Sequence, residues 1–97
     1  MKYSFSEEMF NWRGPAPHYF VFLPVEISDE IKLLAASFSY GWGAIAVEVK
    51  IGGSIWETAI FTKDGRYLVP IKKAVRFGEK LEVGEQIQIE LELTASV

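Results

Sequence analysis

The sequence predicts a mainly β domain: a small closed or nearly closed barrel of about six strands carrying two short helices. Three observations lead there. Apolar residues recur mostly at every second position, as in strands with one buried face. Short, regularly spaced turns containing glycine, proline or aspartate separate these runs. So many strands in a chain of 97 residues avoid long exposed edges best by closing on themselves.

Lys2 to Trp12 reads as the first strand, with Tyr3 and Phe5 alternating against polar neighbours. The RGPAP run (Arg13 to Pro17) then forces a turn, because each proline holds the residue before it extended. His18 to Leu23 is a second strand, apolar on both faces as a strand covered on both sides would be. Pro24 closes it. A helix is expected just beyond, with Ser28 as its N-cap and Asp29 and Glu30 in the first turn, where carboxylates favour the helix dipole. Ile27, Ile31 and Leu34 form its buried stripe, and it should end near Ala36, before the Ser39–Gly43 segment.

Ala44 to Ile51, Gly52-Gly53 and Ser54 to Phe61 read as a hairpin closed by a two-residue primed turn. That register pairs Ile51 with Ser54, Val49 with Trp56, Val47 with Thr58 and Ile45 with Ile60, all on the core face. Lys63-Asp64-Gly65 makes the next turn, and Arg66 to Val69 the next strand. Pro70 suits the opening of a short helix. Ile71, Ala74 and Val75 would face inward, with Lys72, Lys73 and Arg76 outward near its C-terminal end and Gly78 as the cap. After a turn at Gly84, Gln86 to Leu93 alternates without a fault, placing Ile87, Ile89, Leu91 and Leu93 inside.

One domain spans residues 1–97, because this length leaves no room for a second core. A hydrophobic fraction of 49% and an aromatic fraction of 14% argue for a dense core and against disorder. The sequence contains no cysteine, which excludes disulfides and makes the reducing cytoplasm the expected compartment. The N-terminal stretch carries Glu7 and Glu8 where a secretory signal needs an apolar run. No uncharged apolar stretch approaches the roughly 18 residues of a membrane span.

The net charge of −3 argues against a general polyanion binder, since such affinity comes from neutralising phosphates. The charge is nevertheless uneven. Residues 62–77 hold five cations against Asp64, and residues 79–97 hold five glutamates against Lys80. Lys72, Lys73 and Arg76 are therefore a candidate basic patch, with a solvated helix face as the simpler account.

Candidate chemistry is sparse. His18 is the only histidine, so no histidine pair exists for a metal or an acid–base relay. No serine lies in a nucleophile-elbow motif, and the glycines match neither dinucleotide nor phosphate-loop spacing. No catalytic residue, metal ligand or cofactor is expected. Glu48 and Glu57 fall opposite each other in the hairpin register, where like charges destabilise a sheet. Solvent and Lys50 are the simplest compensation, with a shared proton or a bound cation as alternatives. Trp12, Arg13 and Trp42 lie at loop edges beside glycine or proline. Together with His18 they form a candidate ligand site, in which Arg13 would grip a carboxylate or phosphate between indole walls. The competing account makes the tryptophans plugs for the barrel ends.

The blocks WRGPAPHYFVFLP (Trp12 to Pro24), GWGAIAVEVKIGGSIWETAIF (Gly41 to Phe61) and YLVPIKKAVR (Tyr67 to Arg76) resemble, in order and spacing, the bacterial domain-of-unknown-function family 1905. The resemblance covers about Tyr3 to Leu93. It implies a six-stranded barrel related to small archaeal antitoxin-like proteins, and it brings no established catalytic residues. In longer members a similar domain precedes a region associated with bacteriocin resistance. Separately, Val69 to Leu93 is loosely similar to the helix-turn-strand unit of swapped-hairpin transcription factors.

Three functions follow for comparison. The first is a non-enzymatic module that binds a small anionic ligand or a protein partner at one barrel end. The second is a nucleic-acid-binding or antitoxin-like regulator using the basic patch, which the net charge opposes. The third is an enzyme of unassigned class, for which the sequence supplies only unpaired carboxylates.

Overall fold

The computed structural model describes residues 2–12, 18–38 and 44–94. Its elements are β1 (Lys2–Trp12), β2 (His18–Phe22), α1 (Val25–Phe38), β3 (Ile45–Ile51), β4 (Ser54–Lys63), β5 (Arg66–Pro70), α2 (Lys73–Gly78) and β6 (Gln86–Leu93). The six strands close into a barrel in the order β1-β2-β5-β4-β3-β6, and all the pairings are antiparallel. Closure satisfies the edges that so many short strands would otherwise expose.

Period-two patterning sets the inside. Val47, Val49, Trp56, Ile60, Ile87, Ile89 and Leu91 are all buried in one core cluster. The β3–β4 register is the one expected, from Ile51 opposite Ser54 to Ile45 opposite Ile60. Gly52 takes φ +58, the left-handed backbone that the first turn position demands. Asp64 and Gly65 turn the β4–β5 hairpin in the same region, at φ 52 and φ 80.

The first helix begins four residues earlier than the sequence suggests. Pro24 C=O accepts from Ser28 N–H at 2.9 Å, so Pro24 takes the capping position and Ser28 lies inside the first turn. Ser28 has a different task. Its buried hydroxyl accepts from Tyr67 N–H at 3.1 Å and donates to Leu23 C=O at 3.4 Å, tying α1 to β5. The helix backbone runs to Phe38, two residues past the expected end.

The second helix departs further from expectation. Pro70 ends β5 instead of opening the helix, because the chain continues along β2: Ile71 N–H donates to Tyr19 C=O at 2.8 Å. Lys72 therefore stays extended as the N-cap, and Lys72 and Lys73 sit at the N-terminal end of α2. Ile71 and Val75 are buried as expected, whereas Ala74 is exposed. Gly78 is the last helical residue and Glu79 the C-cap. Lys80 supplies the left-handed residue at φ 54, and Leu81 N–H returns to Arg76 C=O at 2.8 Å. That turn seats Leu81 against the core.

One consequence of this path positions the site. β4 pairs with β5 only through Phe61, Thr62 and Lys63. From Ser54 to Ile60 its partner among the described residues is β3 alone. Beyond Leu68, β5 pairs with β2 only, which opens a seam between β4 and the start of α2.

Candidate functional site

The seam holds a cavity of about 660 Å³, within the usual range for ligand sites. Tyr19, Trp56, Ile71 and Phe77 give it apolar and aromatic walls, while Lys72, Lys73 and Arg76 bring cations to it. His18, Glu57, Thr58 and Pro70 complete the lining. Each wall has a local cause. Trp56 alternates inward from β4 and is only 7% exposed. The Ile71–Tyr19 hydrogen bond holds the segment before α2 against the start of β2.

Arg76 is the most constrained of the cations. Its guanidinium lies over the Tyr19 ring at 3.7 Å from the centroid and beside Phe77 at 5.5 Å. Its Nε is buried with no acceptor among the described residues, an unmade bond that costs free energy unless something supplies the acceptor. Lys73 stands at 5.6 Å from the Phe77 ring, and Phe77 itself is 65% exposed at the rim. Planar cations on aromatic faces present fixed N–H edges to an anion.

A second polar feature comes from the backbone. A two-residue turn makes its closing pair, Ile51 and Ser54, a hydrogen-bonded one. Antiparallel pairs then alternate, so Glu48 and Glu57 form a non-hydrogen-bonded pair. The N–H and C=O of Glu57 therefore point away from β3, into the seam. Odd-numbered residues of β4 use those groups for β5 further along, where Lys63 closes the turn opposite Arg66.

Most of the sequence-predicted residues fall into two sets. His18, Lys72, Lys73, Arg76 and Glu57 meet at this cavity. Arg13, Trp42 and the Trp12 side chain lie outside the described residues, as does the barrel end where a ligand site was expected, at the meeting of the Trp12–Pro17 loop with the Ser39–Gly43 segment. Arg76, expected to face outward, is half-buried on Tyr19. Tyr19 and Phe77 were not singled out by sequence reasoning. The role of Tyr19 rests on its contact with Arg76, distant along the chain, which no local pattern signals, whereas Phe77 packs beside Lys73 and Arg76 of its own helix.

Glu48 and Glu57 are directly opposed as expected, and Glu92 opposes Glu48 from the other side. Lys50, the expected counter-charge, instead pairs with Glu90 at 3.8 Å. Lys2 stands opposite Glu92 at the end of this row. Among the described residues no group of three or more His, Asp or Glu side chains is placed to hold a metal ion. No described helix is long and apolar enough to cross a membrane.

Residues 5–91 match the family described as Domain of unknown function (DUF1905). No curated protein matches the chain.

Proposed function

The chain belongs to the DUF1905 family, and we propose that this domain is a binding module whose seam cavity takes a ligand with an anionic group on an apolar body. The observation that carries the reading is Arg76. A guanidinium stacked on Tyr19 at the cavity lining is held in one orientation, and preorganised donors bind at lower entropic cost. Lys72 and Lys73 add charge at the same place, and the aromatic walls suit a planar or apolar body. Nucleic acid fits less well. Tracking phosphates calls for an open basic stripe, whereas Arg76 is half-buried and Glu57 lies in the same lining.

Benzoate and phenyl phosphate are suitable probes, read by amide chemical shifts. The expected result is saturable shifts at Tyr19, Trp56 and Arg76 that disappear in Arg76→Ala. Shifts confined to other faces, or shifts that persist in Arg76→Ala, would remove the cavity as the site.

A further inference from the structure

Beside the cavity lies something that a simple anion pocket does not need: a strand edge that no described strand pairs. Among the described residues β4 has no partner on its seam side from Ser54 to Ile60. The alternation set by the Ile51–Ser54 closing pair turns the N–H and C=O of Ile55, Glu57 and Ala59 toward that side. Glu57 lines the cavity itself. Barrels close in order to satisfy such groups, and in this closed barrel no described strand pairs β4 on this side before Phe61, beside Lys72, Lys73 and Arg76.

Both ends of the open stretch are blocked. At one end Ser54 Oγ donates to Glu79 Oε2 at 2.7 Å, fastening the segment after α2 to the β3–β4 turn. At the other, β5 takes over from Phe61. The interval from Ile55 to Ile60 is about 17 Å long at strand rise. A cavity of about 660 Å³ touches Trp56, Glu57 and Thr58 of it, so only a short segment fits. A chain that stops inside a cavity ends in either an ammonium or a carboxylate, and the cations Lys72, Lys73 and Arg76 in the lining select the carboxylate.

We infer that the occupant of the seam is the extended C-terminal end of a peptide, which adds as a short strand to β4. One of its residues exchanges two backbone hydrogen bonds with Glu57 while its terminal carboxylate meets Arg76 and the two lysines. This deepens the anionic-ligand reading and rests on it. Main-chain pairing would supply affinity, and the side chain facing Tyr19 and Trp56 would supply preference for an apolar residue.

The test uses the full chain and three synthetic pools of tetrapeptides rich in Val, Ile, Phe and Thr. One pool carries free C-termini, one is amidated, and one is N-methylated at each backbone position in turn. The free-acid pool is expected to shift the Glu57 and Ala59 amides. Amidation, Arg76→Gln, or methylation at one particular position should each weaken binding roughly tenfold or more. Equal binding by the amidated pool, or tolerance of methylation at every position, would overturn the inference. If no peptide binds while benzoate still depends on Arg76, strand addition falls and the anion site stands. If benzoate binding ignores Arg76, both fall.

Discussion

The guanidinium carbon of Arg76 lies 3.7 Å from the centroid of the Tyr19 ring, while Nε of the same side chain is buried without an acceptor among the described residues. The two facts oppose each other energetically. A partly desolvated cation–π contact contributes about 0.5–2 kcal/mol, and an unsatisfied buried donor costs about 1–3 kcal/mol. Arg76→Met keeps the packing and removes both terms. Its unfolding free energy in urea should stay within about 1 kcal/mol of the parent, while binding of benzoate is lost. A large destabilisation would make Arg76 a structural residue and weaken the case for the cavity.

Trp56 serves the core and the cavity at once, being 7% exposed and part of its wall. Trp56→Ala should cost about 3–5 kcal/mol, as for other buried aromatics. Equilibrium unfolding in urea measures it. A cost under about 1 kcal/mol would mean the indole is not packed as placed.

Much of the barrel was legible because its strands carry local information. The β3–β4 register follows from Gly52-Gly53 and the strict alternation around it, and β6 from the alternation of Ile87, Ile89 and Leu91. Where tertiary contacts decide, the sequence misled. Ser28 has the composition of a cap, yet its hydroxyl is taken by Tyr67 N–H. Pro70 has the composition of a helix start, yet pairing with β2 runs on past it through Ile71. The same extension opens the seam, so the cavity was invisible for the reason that α2 was misplaced. The basic residues were legible as a patch. Their assembly with Tyr19 and the open edge of β4 was not, since it depends on where β5 parts from β4.

Glu48 stands between Glu57 and Glu92, with like charges opposite it on both neighbouring strands. Glu48→Lys converts two unfavourable cross-strand pairs into favourable ones. The variant should be more stable by about 1 kcal/mol at low ionic strength. The gain should shrink as added salt screens these surface charges. Thermal unfolding across a salt series checks it, and a variant no more stable than the parent at low salt would contradict the pairing.

Tyr67 is buried in the barrel, and burial raises its pKa above 10.0. Tyr3 is raised by burial first and then by the neighbouring Glu30 carboxylate. The unfolded chain therefore releases these protons before the folded one does. Stability should be constant in this respect below about pH 10 and fall as pH rises from there through the folded-state values. Tyr67→Phe should reduce the slope in that window. Urea midpoints that do not change above pH 10 would contradict the raised pKa values.

Glu79 and Gly52 share one small space. A Cβ placed on Gly52 would lie 2.0 Å from Glu79 Oε1, and the φ of +58 is itself left-handed. Gly52→Ala thus meets two costs of different origin. The left-handed backbone contributes about 1–2 kcal/mol whatever stands nearby. The steric cost depends on Glu79, whose flexible carboxylate must swing away and surrender its 2.7 Å hydrogen bond from Ser54, at about 1–2 kcal/mol. A double-mutant cycle separates the two. In a Glu79→Ala background the second cost is already paid, so Gly52→Ala should be cheaper there by about 1 kcal/mol. The same substitution should loosen α2 over the seam, visible as faster amide exchange at Val75 and Arg76. Additive energies, with exchange in α2 unchanged, would show that Glu79 does not fasten α2 to the β3–β4 turn.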